Sequence, residues 1–262
     1  MYSFNIIITE ICNANCSHCY MKNDSNNKTL TTKQIDTLIK NLPSNTKSIV
    51  LTGGEIYMVK NLLFYTLEKI NERFSNIIIG VESNGKYFYE NKDKIRNELN
   101  KLEEYNVSFI RFSDDVFHAD GGINLDEVRK IKDYSDGLKI QVKYLVQNDA
   151  LPIGKGSDLP DELKAKKECM NTADTYKNPY LFLDIDGNIY TCAWKCTPSI
   201  GNIFTDSFSD IENNLYSGIQ KEILIGNIEG ILKNNENYDK YKKIVQEQGT
   251  CMACYKYFKE LR

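Results

Sequence analysis

The chain has 262 residues, of which 41% are hydrophobic, and a formal net charge of −3 at pH 7. This length suits one medium domain with an appended module, and the lack of an apolar run of about 18 residues argues against a membrane helix. A weakly negative chain without a basic block gives no reason to expect nucleic acid as a partner. Because the first residues resemble a strand rather than a signal peptide, we expect a cytoplasmic protein.

Short apolar strands and amphipathic helices alternate over the first 150 residues. Strands are predicted at residues 3–9, 48–52, 76–82, 107–113 and 139–146. The first helix follows a capping box of Thr31 and Gln34 and carries Ile35, Leu38 and Ile39 at helical spacing. Similar spacing predicts further helices near residues 63–70, 95–102 and 125–134.

Alternating strands and helices are typical of a parallel sheet built from βαβ units. We therefore predict an α/β fold in which residues 1–150 form a partial, shortened βα barrel of five visible units. Ligands bind at the carboxyl ends of strands in such sheets. Polar clusters follow four predicted strands, namely the first cysteine loop, Gly53-Gly54-Glu55, Ser83-Asn84-Gly85 and Ser113-Asp114. The sequence thus predicts one site at this edge.

The alternation stops after Asn148, where Pro and Gly residues indicate a linker. Two strand-like segments, 180–185 and 188–192, then flank Asp186-Gly187, which is a hairpin signal. Helices are predicted at 208–233 and 238–248. Residues 151–262 should therefore form a small hairpin-plus-helix module.

The eight cysteines fall into two groups, three near the start of the chain and five in its last hundred residues. Since disulfides are rare in reducing cytoplasm, close-set cysteines there indicate metal. Cys12, Cys16 and Cys19 supply three thiolates, whereas a cubane iron–sulfur cluster normally takes four, so one iron would stay open. Zinc with His18 as a fourth ligand is the alternative, although a histidine directly beside Cys19 is awkwardly spaced for it.

The cysteine spacing, three residues and then two, resembles the signature loop of the radical S-adenosylmethionine (SAM) superfamily. The resemblance covers roughly residues 6–148. It implies that SAM chelates the open iron of a 4Fe–4S cluster through its amino and carboxylate groups. One electron, supplied by a flavodoxin- or ferredoxin-type partner, would then cleave SAM to methionine and a 5′-deoxyadenosyl radical that removes hydrogen from a substrate.

The resemblance also implies contacts to SAM. Gly53, Gly54 and Glu55 match the family's glycine–glutamate motif, whose backbone and acid meet the SAM ammonium, and His18 occupies the position that packs against adenine. Further candidate contacts are Ser83, Ser113, Gln141 and Lys143. Ser113 also fits an ordinary strand end, and the last two residues fit a strand with one polar face. Asp114, Asp115 and His118 form a polar patch on the expected substrate side, where a surface role is the alternative.

The later cysteines resemble an auxiliary-cluster module of the SPASM type, in its shorter twitch form. Gly187 stands five residues before Cys192, and Cys251 and Cys254 form a closing Cys-x-x-Cys pair. The resemblance implies a second 4Fe–4S cluster, held by Cys169, Cys192, Cys251 and Cys254. Cys196 is then spare, as a structural thiol, an alternative ligand or a hydrogen donor. Zinc is the alternative, because Cys-x-x-Cys pairs also bind zinc.

These features predict an enzyme that uses SAM and two 4Fe–4S clusters. The first hypothesis is modification of a ribosomally made peptide by cross-linking, epimerisation or oxidation. A second is the radical oxidation of a small alcohol or aminocyclitol. A third, of another class, is a non-catalytic iron–sulfur protein that carries electrons.

Overall fold

A computed structural model describes residues 1–21 and 27–261 of the chain. Within them, eight strands form one sheet: β1 (Tyr2–Thr9), β2 (Thr46–Gly53), β3 (Ile78–Ser83), β4 (Val107–Ser113), β5 (Gln141–Leu145), β6 (Tyr180–Leu183), β7 (Asn188–Tyr190) and β8 (Gly201–Asn202). Their order across the sheet is β5-β4-β3-β2-β1-β6-β7-β8. The pairings from β5 to β6 are parallel, and the last two are antiparallel.

Helices connect these strands and form most of the C-terminal part. They are α1 (Thr32–Asn41), α2 (Lys60–Arg73), α3 (Lys86–Glu90), α4 (Ile95–Glu104), α5 (Val116–Asp120), α6 (Leu125–Lys130), α7 (Ala173–Lys177), α8 (Phe208–Leu215), α9 (Gly218–Leu224), α10 (Ile228–Lys233), α11 (Tyr238–Gln248) and α12 (Thr250–Glu260). Short 3-10 helices cover Ile56–Val59, Lys92–Lys94, Ile131–Ser135, Gly154–Asp158 and Asp161–Leu163. No helix of the described chain is both long enough and apolar enough to cross a membrane.

The strands bury one face against helices, as alternation along a strand requires. Phe4, Ile6 and Ile8 of β1 are fully buried in the same apolar cluster as Leu38 of α1 and Leu67 of α2. This mixed α/β arrangement agrees with the predicted partial barrel. The five strands expected from the pattern are all present.

A sixth parallel strand completes this part of the sheet and was not predicted as such. β6 is the first strand of the predicted hairpin, and it pairs with β1 from Ser3–Tyr180 to Ile6–Leu183. The strand has only four residues, and no long helical pattern precedes it. The sequence therefore indicated the hairpin without indicating its place beside β1.

The C-terminal helices differ from the prediction. The single helix expected at 208–233 is three helices, because Gly218 and Gly226 adopt positive φ angles of 49° and 77° that interrupt it. Asn227 then caps α10 by accepting a hydrogen bond from the Gly230 amide. Helix α12, which carries Cys251 and Cys254, was not predicted at all.

The cap of α1 yields a test of the local structure. The Thr31 hydroxyl accepts from the Gln34 amide at 3.2 Å, and the Gln34 side chain accepts from the Thr31 amide at 2.9 Å. Thr31→Ala is expected to lower the free energy of unfolding by about 1 kcal/mol, measured by urea denaturation. Thr32→Ala, at the exposed first position of α1, is the control and should cause little loss. Equal losses in the two variants would contradict the capping role.

Candidate active site

The loop after β1 holds three of the cysteines close together. Cys16 is buried, whereas Cys12 and Cys19 are half-buried. The Cys19 amide donates to the Cys16 carbonyl at 3.3 Å, and the Ala14 amide donates to the Cys12 sulfur at 3.4 Å. Burial, together with the neighbouring thiols of Cys12 and Cys19, raises the pKa of Cys16 to about 12. Crowded thiols that resist ionisation fit a metal centre, whose positive charge reverses that preference.

Two glycines allow β2 to pack against the start of this loop. The amides of Gly54 and Glu55 donate to the carbonyls of Thr9 and Ile11, both at 2.8 Å. A Cβ atom on Gly53 would lie 2.3 Å from the Thr9 carbonyl oxygen, and one on Gly54 would lie 2.4 Å from that of Ile11. The pair is thus required by contact between two backbones. Their approach to SAM stays a prediction.

Glu55 lies beneath the loop and is only 1% exposed. Its carboxylate accepts from the amides of Tyr57 at 3.0 Å and Asn84 at 2.7 Å, and from the Ser83 hydroxyl at 3.0 Å. Burial raises the pKa of this carboxyl, while the three hydrogen bonds oppose the rise. Glu55 and Ser83, two predicted SAM contacts, therefore meet each other and join the ends of β2 and β3.

Asn84 is a site residue that the sequence analysis missed. Its side-chain amide donates to the Asn13 side chain at 2.9 Å and lies 4.0 Å from the Cys12 sulfur. It thereby ties the end of β3 to the cysteine loop. Its position in a strand-end cluster was a signal, but nothing in the sequence separated it from its neighbours.

The segment after Asn148, predicted only as a linker, also contacts the loop. The Lys155 amide donates to the Cys19 carbonyl at 3.1 Å, and the Lys155 ammonium donates to the Asn15 side chain at 2.5 Å. Gly154 has a φ of 56°, and a Cβ atom there would lie 2.7 Å from the Tyr20 Cα atom. This segment therefore packs on the cysteine loop.

His18 lies among aromatic rings beside Cys16. It stacks on Phe117 with ring centroids 4.8 Å apart and meets His118 edge-on at 4.9 Å. Burial, followed by the charge of His118, lowers the pKa of His18 to about 4. His118 itself is held by Asp115, with 2.8 Å between Nδ1 and Oδ1. A planar, neutral ring is compatible with adenine packing, which stays a prediction.

His18 and His118 change which residues could bind a single metal ion. Ligand atoms of Cys16, His18 and His118 lie within 4.8 Å of one another, and residues 1–21 and 27–261 contain no other such group of three. The zinc alternative would therefore use His118, which the sequence placed only in a polar patch. The three loop cysteines are spread more widely, as a multi-iron cluster requires.

The other predicted contacts lie on β4 and β5. Ser113 is half-buried at the end of β4, whereas Gln141 and Lys143 are exposed on β5 at the edge of the sheet. The Lys143 ammonium lies 4.4 Å from the centre of the Phe109 ring. Their contacts to SAM remain predictions. Asp114 is held in an ion pair by Arg129, with a shortest distance of 2.8 Å.

A second group of cysteines surrounds one cavity in the C-terminal part. The lining of the cavity includes Cys169, Cys192, Cys196, Cys251 and Cys254. Backbone contacts hold the lining together, because the Cys251 amide donates to the Lys167 carbonyl at 3.1 Å and the Cys169 amide donates to the Thr250 hydroxyl at 2.8 Å. The structure therefore brings together all five later cysteines.

Cys196 belongs to this cavity although the sequence analysis left it spare. It is 3% exposed. A hydrogen bond from its thiol lowers the pKa of Cys192 to about 7, and the same contact, together with burial, raises the pKa of Cys196. Cys196 is thus placed beside Cys192 as a hydrogen-bond donor, and its sulfur also lies 3.8 Å from the Trp194 carbonyl oxygen.

Comparison with known families identifies the first site. Residues 6–141 match the model of the radical SAM superfamily. The chain belongs to the radical SAM superfamily. Membership makes it an enzyme and implies that it binds SAM and a 4Fe–4S cluster, in agreement with the cysteine loop. The hypothesis of a non-catalytic electron carrier is therefore not supported.

Solved structures of radical SAM enzymes share the fold. BtrN in complex with AdoMet and 2-DOIA matches with 19% identity over 86% of this chain and 88% of its own, at a TM-score of 0.58. The enzyme anSMEcpe with bound AdoMet and Cp18Cys peptide matches with 11% identity over 90% of this chain and 87% of its own, also at 0.58. No curated protein sequence matches the chain significantly. At these identities the likeness concerns the fold.

Replacing Glu55 tests its expected contact with SAM. Glu55→Gln is expected to weaken SAM binding about ten- to a hundredfold, since charge-assisted hydrogen bonds contribute about 1.5–3 kcal/mol. Iron content should not change. SAM affinity is measured by equilibrium dialysis at a temperature where both proteins are folded by circular dichroism. Glu90→Gln, at an exposed position of α3, is the matched control. Unchanged SAM affinity in Glu55→Gln would remove Glu55 from the site.

Proposed function

We propose that this radical SAM enzyme carries two 4Fe–4S clusters and oxidises its substrate, the second cluster being the electron acceptor. The observation that carries the proposal is the cavity lined by five cysteines, separate from the loop that defines the family. The hairpin of β6 and β7 and the Cys-x-x-Cys pair at the start of α12 support a twitch-type module.

The donor set of the cavity fits a closed cluster. Thiolates are the usual ligands of iron–sulfur clusters, and five thiols exceed the four that a cubane needs. No three of these thiols come within single-ion distance in the described residues, which favours a cluster over zinc. Cys169, Cys192, Cys251 and Cys254 would hold the cluster, so no corner stays open to bind substrate. A closed cluster suits electron transfer.

At the first site, Cys12, Cys16 and Cys19 would hold the catalytic cluster, and the fourth position is left for SAM. When bound, the cluster and SAM together would supply one-electron cleavage of SAM and the radical that removes a substrate hydrogen. The protein contributes positioning and shielding. Glu55 and Asn84 fix the loop against β2 and β3, and the half-buried ring of His18 would form a wall for the adenine.

The proposed substrate is a ribosomally made peptide, modified by cross-linking, epimerisation or oxidation. The match to anSMEcpe, whose structure contains a peptide, supports this choice. BtrN, in complex with 2-DOIA, matches at the same TM-score and favours a small alcohol or aminocyclitol as the second candidate. In either case a flavodoxin- or ferredoxin-type protein would supply the electron.

Iron analysis tests the two-cluster proposal. Protein reconstituted anaerobically is expected to bind about eight irons per chain. Replacing Cys12, Cys16 and Cys19 together by Ala should remove about half of this iron and abolish release of 5′-deoxyadenosine. Tightly bound zinc with no iron after reconstitution would contradict the proposal.

The ligand assignment makes a separate prediction. Cys169→Ala, Cys192→Ala, Cys251→Ala and Cys254→Ala are each expected to abolish or alter the EPR signal of the second cluster. Cys196→Ala should retain the cluster with a shifted reduction potential, because a hydrogen bond to the Cys192 sulfur is lost. Loss of the signal in Cys196→Ala, with retention in Cys169→Ala, would show that the assignment is wrong. A substrate-induced change indicating direct coordination would contradict the acceptor role.

A further inference from the structure

The face of the sheet opposite the helices carries a row of polar side chains. Thr52, Glu82, Arg111 and Lys143 occupy matching positions on β2, β3, β4 and β5, since Arg111 is in register with both Glu82 and Lys143. Ile110, beside Arg111, points the other way and is fully buried. The row therefore faces the concave side of the partial barrel.

The row carries two positive side chains, Arg111 and Lys143, and only one negative side chain, Glu82. Arg111 forms an ion pair with Glu82, whose carboxylate also accepts from the Thr52 hydroxyl at 2.8 Å. The Arg111 Nε atom is buried without a hydrogen-bond partner in the described residues. In residues 1–21 and 27–261, no carboxylate lies within ion-pair distance of the Lys143 ammonium, which rests instead on the Phe109 ring.

The stability of the sheet does not explain this arrangement of charged side chains. Like charges directly opposite each other on neighbouring strands are destabilising, as are buried polar groups without a partner. The side chains of Arg111 and Glu82 are still 33% and 23% exposed, so a ligand can reach them. Two cations, one anion and an unused N–H donor together fit a ligand with an anionic oxygen group.

The row lies beside the SAM site rather than within it. Arg111 precedes Ser113 by two residues, which places it about 7 Å further from the strand ends where the cysteine loop lies. Burial, followed by the nearby charge of Glu82, raises the pKa of Tyr20, which follows Cys19. The Tyr20 ring lies 5.6 Å from that of Trp194. Trp194 in turn lines the cavity of the later cysteines. The row therefore lies near Tyr20 and Trp194, whose contact links the cysteine loop to the cavity of the later cysteines.

We propose that Arg111 and Lys143 bind a carboxylate of the substrate, with Glu82 and Thr52 holding the guanidinium in place. This inference rests on the proposed function, because it assigns the row to the substrate of a radical reaction. The carboxylate belongs either to a small organic acid or to an acidic side chain of a peptide. Both sources present the same group to the same two cations.

A pair of probes that differ only in charge tests the site. Benzoate and benzamide are titrated into the anaerobic holoenzyme with SAM bound, and binding is followed by ligand-observed NMR. Benzoate is expected to bind at least about tenfold more tightly than benzamide, and Lys143→Gln should remove most of this preference. Lys139→Gln, which changes an exposed lysine just before β5, is the matched control and should keep it.

A second pair of probes, both of them peptides, distinguishes a small organic acid from an acidic peptide as the source of the carboxylate. Acetyl-Gly-Glu-Gly-amide is compared with its Gln counterpart under the same conditions. A charge preference with benzoate alone supports the site and indicates a small acid, whereas a preference with the peptide alone supports it and indicates an acidic peptide. Preference in both arms also supports the site, and preference in neither overturns it.

A charge reversal distinguishes a ligand site from a structural one. Lys143→Glu places an anion opposite Arg111, so the urea midpoint of unfolding should rise while the preference for benzoate is lost. A falling midpoint would overturn the argument from like charges. SAM affinity is measured in the same variants, and a loss of SAM binding about as large as that of benzoate would assign Lys143 to SAM instead. Failure of the parent protein to bind iron would count against the proposed function and not against this site.

Discussion

A single buried carboxylate organises the catalytic end of the sheet. Glu55 accepts hydrogen bonds from three neighbouring residues. It stays in place because its hydrogen bonds join the ends of two strands, and the backbone just before it is bonded to the loop that carries the first cysteines. The carboxylate therefore joins β2 to β3 next to the loop that carries the three thiols.

The loop is held from several sides, which suits a site that must control a reactive species. Glycines at 53, 54 and 154 let the backbones of β2 and of the later segment approach it closely. Asn84 adds a side-chain contact from β3, and Lys155 adds one from the segment that leads to the C-terminal part. A cluster bound here would sit on a rigid base, as pre-organised catalysis requires.

Much of this architecture could be predicted from the sequence, because hydrophobic periodicity and the position of a segment along the chain are local signals. The strand at 107–113 and the helix at 238–248 were placed with the bounds that the structure has. β6 was not recognised as a barrel strand, since its pairing with β1 is a long-range event. The meeting of His18 with His118, and of Cys192 with Cys196, likewise depends on tertiary contacts that spacing does not encode. Glu55 was singled out for its position, while its hydrogen bonds to the end of β3 became evident only in the fold.

The pairing of β1 with β6 has a consequence for how the chain reaches its folded state. Ser3 is synthesised well before its neighbour Tyr180. Until then, one edge of β1 carries unpaired N–H and C=O groups, which is the kind of edge on which other strands add. A fragment ending near residue 150 would keep that edge open permanently, and it would aggregate rather than fold as an independent barrel. The C-terminal part that contains the later cysteines thus also completes the sheet that presents the first ones.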